Sequence, residues 1–265
     1  MSSDAHDRWE AGDPYDLYVG RWSRAVAAVF LDRLAIAPGR DWLDIGCGTG
    51  ALTGAILERC APASVTGVDP SAGFLARARE RLADPRLVLH QGDAQALPVP
   101  DAAFDAVVSG LVLNFVPDQP RAAAELRRVA RPGATVAAYV WDYAEGMQMM
   151  RRFWDAAAAL EPAAAALDEG RRFPLCRPDA LQALFAEAGF GAVAVNAIEV
   201  PTVFRDFDDF WSPFLGGQGP APAWCMSLPE VSRAAIRERL RATLPAAADG
   251  TIPLGARAWM VRGAA

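Results

Sequence analysis

The segment Trp42-Leu-Asp-Ile-Gly-Cys-Gly-Thr-Gly50 decides how this chain is read. Its first half, with Asp41 before it, is a short apolar run ending at Ile45, the form of a strand buried in a parallel sheet. Its second half sets glycines at 46, 48 and 50; at Gly46 and Gly48 the chain leaving the strand can bend sharply and a ligand can approach where a Cβ would block it. An apolar helix pattern follows over Gly50 to Arg59. A helix N-terminus there offers unpaired N–H groups and the positive end of its dipole. Glycine spacing alone also satisfies the dinucleotide fingerprint, with Ala51 as the last small residue.

Asp44 separates the two readings. It stands two residues before the first glycine, at the end of the first strand. A carboxylate beside a pyrophosphate is repulsive. S-adenosylmethionine instead carries an ammonium and a sulfonium, which an acid attracts. Val65-Thr-Gly-Val-Asp69 ends the next strand with an acid about 20 residues beyond the glycines, where a carboxylate can accept both hydroxyls of a ribose. His90-Gln-Gly-Asp93-Ala94 follows the third strand, and an acid there can accept from an adenine amino group. Three acids after three successive strands match an ammonium, a ribose and an adenine in order.

Outward from this core the chain alternates strands and helices. Strands are predicted over Asp41 to Ile45, Ser64 to Val68, Leu87 to His90, Ala106 to Ser109 and Thr135 to Val140. Helices are predicted over Ala72 to Leu82 and from a cap at Asp118 to about Ala130, and Pro132-Gly133 is read as a turn into the fifth strand. A helix from Arg24 to Leu34 precedes them, behind a polar and aromatic arm. From roughly 144 to 177 the alternation gives way to a methionine-, aromatic- and alanine-rich helical lid. Helices over Pro178 to Ala188 and Glu230 to Leu244, and strands over Phe190 to Val200 and Ala256 to Val261, complete the chain. The expected architecture is one α/β domain, a Rossmann-like doubly wound sheet of seven mostly parallel strands with an antiparallel last strand. Its parts are an arm and helical cover (1–38), a donor-binding core (39–143), the lid (144–177) and a C-terminal part (178–265).

Composition narrows the chemistry further. The 265 residues are 52% hydrophobic and 22% charged, enough for a sizeable core. A net charge of −6 speaks against a nucleic-acid partner. The start of the chain is charged and reads as no secretory signal, and no apolar run is long enough to span a bilayer. Four scattered cysteines fit reduced thiols, so a cytoplasmic location is expected. The chain contains no lysine, which excludes Schiff-base enzymes, P-loop phosphate binders and Tyr-Lys dehydrogenases.

With these motifs the chain resembles the class I S-adenosylmethionine-dependent methyltransferases, in the branch acting on small molecules and quinone precursors. Leu43 to Gly50 matches the first motif, Asp69 the ribose acid and Gly92-Asp93-Ala94 the adenine motif. Phe104 to Asp118 resembles the fourth-strand motif, and Leu126 to Gly133 the helix and turn before the fifth strand. Tyr15 to Ser23 resembles the N-terminal cover. The resemblance implies a donor site drawn from Asp44, Gly46, Cys47, Gly48 and Gly50, then Asp69 and Pro70, then Asp93, Ala94 and Ser109. Tyr18 and Arg21 join from the arm, Arg21 through the donor carboxylate. S-adenosylhomocysteine is the implied product, no metal is expected, and the reading allows a homodimer. Two positions depart from the pattern: Asn114 stands where the family often has histidine, and Pro70 where an apolar residue such as methionine is common.

In-line methyl transfer needs alignment and exclusion of water, and a base only if the acceptor must lose a proton. Tyr18, Asn114, Asp142 and Tyr143 are the candidates for assisting it; His6 and His90 read as structural or surface groups. Trp141, Trp154, Phe173, Phe210, Trp211, Phe214 and other rings would suit an apolar acceptor pocket or simply fill the core. Two alternatives remain: a nucleoside-binding regulator of the same fold without the reaction, and a nicotinamide-dependent oxidoreductase.

Overall fold

The structure, a computed structural model, describes residues 20–217 and 219–265, with Arg21 described by its backbone alone. In chain order its elements are α1 (Arg21–Leu34), β1 (Asp41–Ile45), α2 (Ala51–Arg59), β2 (Ser64–Asp69), α3 (Ala72–Arg81), β3 (Leu87–Gln91) and β4 (Phe104–Gly110). Next come a 3-10 turn (Leu113–Phe115), α4 (Gln119–Val129), β5 (Ala130–Trp141), α5 (Gln148–Leu160), the short α6 (Glu169–Arg172) and α7 (Pro178–Glu187). Last are β6 (Gly191–Phe204), α8 (Phe207–Trp211), α9 (Pro220–Ser227), α10 (Glu230–Thr243) and β7 (Ile252–Ala264).

Seven strands form one sheet in the order β3-β2-β1-β4-β5-β7-β6. The pairs β3–β2, β2–β1, β1–β4 and β4–β5 are parallel, and the last strands are antiparallel. Strand order reverses at β1 and β4, which in doubly wound sheets opens a crevice at the carboxyl ends of the strands. The sequence expectation of a Rossmann-like α/β sheet is met.

The chain forms two compact units. A core unit comprises residues 23–140, 175–198 and 258–265; a helical unit comprises 141–174 and 199–257 with the described residues up to Trp22. In the core unit Leu43, Ile45, Val65, Val107, Val108 and Val136 are fully or almost fully buried, as strands covered on both faces require. Helix α1 buries Val26, Phe30 and Leu34, spaced four apart along one stripe, and Phe30 meets Tyr139 of β5 at 4.7 Å between ring centroids. Ser71 caps α3 by accepting the Phe74 N–H, and Asp118 caps α4 by accepting the Arg121 N–H.

One local reading is corrected. Pro132-Gly133 lies inside β5 as a bulge and not in a turn before it. Phe104 pairs with Ala130 and Ala106 with Thr135, so Asp105 of β4 faces residues 131–134 of β5. Gly133 supplies the left-handed backbone at φ +78°, while Arg131 reaches Asp105 at 2.7 Å and Asp41 at 3.1 Å. The late strands also run longer than expected.

In the helical unit, Met147, Met149, Met150, Phe153 and Trp154 are buried, so the methionine cluster is core. Phe153 stacks on Phe214 with centroids 4.4 Å apart, and Trp154 sits 5.6 Å from Trp224. Among the described residues no helix is long and apolar enough to cross a membrane.

Candidate functional site

The glycine turn after β1 is stitched to the end of β2. The Gly46 and Cys47 N–H groups both donate to the Val68 carbonyl, at 2.7 and 3.1 Å, and the Gly50 N–H donates to the Cys47 carbonyl at 2.8 Å. Gly46 (φ +71°) cannot carry a side chain, because a Cβ there would overlap Val112 of the chain itself. Gly48 (φ +53°) differs: a Cβ there would meet nothing within 4 Å, so this part of the turn faces open space. Close approach of an outside group is therefore a property of Gly48. Gly50 caps α2 in a left-handed conformation and contributes no side-chain acceptor to its first N–H groups.

Two buried carboxylates accompany this turn. Asp44 is 1% exposed, and its Oδ2 accepts the Thr53 hydroxyl at 2.6 Å. Its Oδ1 is buried with no partner among the described residues. Burial raises the Asp44 pKa to about 7, the Asp69 charge adding to the rise and the Thr53 hydrogen bond opposing it. A cation at Oδ1 would satisfy that oxygen and stabilise the ionised form.

Asp69 is 6% exposed. Its Oδ2 accepts the Gly48 N–H at 2.9 Å and its Oδ1 accepts the Ser71 N–H at 2.8 Å. Asp69 thus fastens the open part of the glycine turn to the start of α3. A carboxylate offers about four lone-pair sites, and these two bonds leave capacity for a diol. Burial raises its pKa, and the two backbone hydrogen bonds act against that rise.

Apart from Tyr18 and Arg21, the remaining expected donor residues lie in the same unit. Pro70 is exposed and its carbonyl accepts the Gln91 side-chain amide at 2.9 Å. Asp93 accepts both the Gln95 N–H (2.7 Å) and its side-chain amide (3.0 Å), which hold its pKa down, and Ala94 is buried beside it. Ser109 turns its hydroxyl to the Ile45 carbonyl at 2.9 Å, tying β4 to β1. Burial, with Asp44 and Asp69 nearby, pushes the Cys47 thiol far up, which disfavours a thiolate. Asn114 is buried in the 3-10 turn after β4, and its amide nitrogen has no partner among the described residues. His90 is exposed on β3.

Asp142 and Tyr143 belong to the helical unit. Asp142 accepts the Arg257 Nε at 2.6 Å and the Glu145 N–H at 3.1 Å, which ties β7 to the segment after β5. The Tyr143 ring lies 5.5 Å from Phe173. Tyr18 and the Arg21 side chain fall outside the described residues. Sequence reasoning missed Thr53, Val112 and Glu169. Thr53 had a usable signal, a hydroxyl on the first turns of the helix beside Asp44; the other two had none.

Comparisons with known proteins bear on the family and the fold. Residues 43–138 match a family described as a methyltransferase domain. The chain is 33% identical over 186 residues to a malonyl-[acyl-carrier protein] O-methyltransferase of Pectobacterium atrosepticum, covering 63% of this chain and 72% of that protein. It is 38% identical over 112 residues to a trans-aconitate 2-methyltransferase of Deinococcus radiodurans, covering 41% of this chain but only 42% of that relative's length. Among solved structures, a putative methyltransferase of Bacillus halodurans superposes with a TM-score of 0.60 over 90% of this chain and 97% of that one, at 14% identity, which shows a shared fold.

Proposed function

The chain belongs to the class I S-adenosylmethionine-dependent methyltransferases, and from that premise we propose that it transfers a methyl group to a small-molecule acceptor. One observation carries the proposal. An open glycine, Gly48, stands with two buried carboxylates, one of them with an oxygen that no described residue satisfies. A pyrophosphate would be repelled by that pair; an ammonium and a ribose are each drawn to it.

When bound, S-adenosylmethionine supplies an electrophilic methyl on a sulfonium and leaves as S-adenosylhomocysteine. The residues of the chain do the rest. Asp44 holds the charge of the amino-acid end, and Gly48 lets the backbone approach. Asp69 accepts the ribose hydroxyls while keeping its bonds to Gly48 and Ser71. Asp93 and Ala94 take the adenine. Asn114 donates a hydrogen bond and does not take a proton, so its role is positioning; alignment of this kind can supply several kcal/mol of a barrier.

Incubation of the protein with methyl-labelled S-adenosylmethionine and a small-molecule extract tests the proposal by mass spectrometry. Labelled product should form together with S-adenosylhomocysteine. Donor binding without any labelled product across a broad acceptor panel would instead mark a regulator of the same fold.

A further inference from the structure

The loop between β3 and β4 carries Asp93 and Ala94 but belongs to neither strand, and helix α4 gives it its shape. At its far end the Leu97 N–H donates to Glu125 at 2.8 Å. Arg128 pairs with Glu125 at 2.7 Å and donates to the Leu97 and Val99 carbonyls at 3.0 and 3.1 Å. At its near end the Ala96 N–H closes a tight turn onto the Asp93 carbonyl at 3.1 Å. Gly92 lies against Pro98, so close that a Cβ would come within 2.6 Å of that ring. All of these residues lie in the core unit.

Gln95 joins Asp93 to the helix. Its N–H and its side-chain amide nitrogen both donate to Oδ1 of Asp93, at 2.7 and 3.0 Å. Its Oε1 accepts the Asp118 N–H at 3.0 Å, and its carbonyl accepts the Arg121 Nε at 2.8 Å. Asp118 caps α4 and Arg121 stands in its first turn, so Gln95 hangs Asp93 from the start of a helix. Oδ2 of Asp93 receives no bond from any described residue, and the side chain is exposed. A carboxylate held at one oxygen and open at the other accepts a hydrogen bond from a fixed direction. The two bonds from Gln95 also keep Asp93 ionised, which makes it an acceptor only.

We propose that Gln95 is the positioning residue that makes the donor site selective for adenine over hypoxanthine, by fixing Oδ1 of Asp93 so that Oδ2 faces the exocyclic group of the base. This rests on the methyltransferase reading, in which Asp93 takes the adenine, and extends it to how the base is told apart. The adenine amino group donates to an ionised carboxylate. A hypoxanthine carbonyl in the same place has no proton to give and sets oxygen against oxygen. A site built to hydrogen-bond one group of its ligand rejects an analogue that lacks it. Without Gln95 the Asp93 side chain is free to turn away, while Glu125 and Arg128 still hold the rest of the loop.

The test is calorimetry on the full chain with S-adenosylhomocysteine and with S-inosylhomocysteine, which carries hypoxanthine in place of adenine. The wild-type protein should bind the first about tenfold or more tightly. Gln95→Leu removes both side-chain bonds of Gln95. Gln95→Glu still accepts from the Asp118 N–H but no longer donates to Asp93 from its side chain. Both variants should cut the preference to about threefold or less, the loss falling on S-adenosylhomocysteine. A residue that only tied the loop to α4 would keep the preference in Gln95→Glu, so this readout separates positioning from support. Gln95 is half-buried in a loop and Gln95→Glu is isosteric, which leaves the core packing as it is. Absence of a preference in the wild-type protein, or its retention by either variant, overturns the proposal and leaves the methyltransferase reading standing. Failure of S-adenosylhomocysteine itself to bind the wild-type protein would overturn that reading, and the role of Gln95 with it.

Discussion

The two compact units each hold a buried carboxylate in nearly the same electrostatic condition. Asp44 in the core unit is 1% exposed and Glu169 in the helical unit 2%. Each has one oxygen engaged by a side-chain donor and the other without a partner among the described residues. Burial raises both pKa values to about 7. They differ in how the sequence encodes them. Asp44 is fixed by local grammar: a strand end, a glycine turn and a helix whose Thr53 lies nine residues on. Glu169 is fixed by the meeting of two helical segments fifteen residues apart, inside an alanine-rich stretch with no motif. A carboxylate seated by neighbouring motifs has a spacing to read; one seated by the packing of two helical segments does not.

Four experiments would break or sharpen this contrast. The largest effect belongs to Gly46→Val. It imposes a β-branched side chain on a left-handed backbone and forces it against Val112, a cost of roughly 2–6 kcal/mol. Chemical denaturation should show the loss, and a near-wild-type midpoint would mean that the turn has more freedom than its geometry implies.

Asp69→Ala should weaken S-adenosylmethionine binding by about 1–3 kcal/mol, since it removes the ribose acceptor and releases the Gly48 N–H. Calorimetry of a folded variant with unaltered affinity would remove Asp69 from the donor site. A matched pair, Thr53→Val and Trp154→Phe, deletes the donor to each buried acid. Each should cost about 1–3 kcal/mol of stability by leaving an acceptor unsatisfied. Only Thr53→Val should also weaken donor binding, and equal effects of the pair on that affinity would separate Asp44 from the donor site.

The finest contrast is in pH. Both acids hold protons more tightly in the folded chain than in the unfolded one, where ordinary values near 4 apply. Their contribution is therefore fully present below about pH 4 and is lost as pH rises through about 7. The ligand-free protein should unfold more readily at pH 8 than at pH 5.5. Asp44→Asn and Glu169→Gln should each flatten that slope, and S-adenosylmethionine should flatten only the part that Asp44 contributes. Thermal unfolding across this range gives the answer; a slope indifferent to both substitutions would show that neither acid carries it.

Much of the core unit was legible because its signals are short-range. Apolar runs bounded by Gly-Cys-Gly, by Asp69-Pro70 and by Gly92-Asp93 marked β1 to β3 to within about one residue. Pro132-Gly133 misled, because the same dipeptide serves a turn or a bulge and only the long-range pairing of Arg131 with Asp41 and Asp105 selects the bulge. The acids of the proposed donor site were placed by position, yet their bonds could not be. That Asp69 holds the Gly48 N–H, and that Gly46 answers to Val112, depend on contacts between distant residues. Asp142 illustrates the same limit, since its place after β5 suggested chemistry while Arg257, far along the chain, supplies its partner.

The most direct test of the central claim is titration calorimetry of the wild-type protein with S-adenosylmethionine and, separately, with NADH. A carboxylate-flanked turn that welcomes a cationic nucleoside and repels a diphosphate predicts one-to-one binding of the former and no heat from the latter. Binding of NADH, or a flat trace with S-adenosylmethionine, would contradict it.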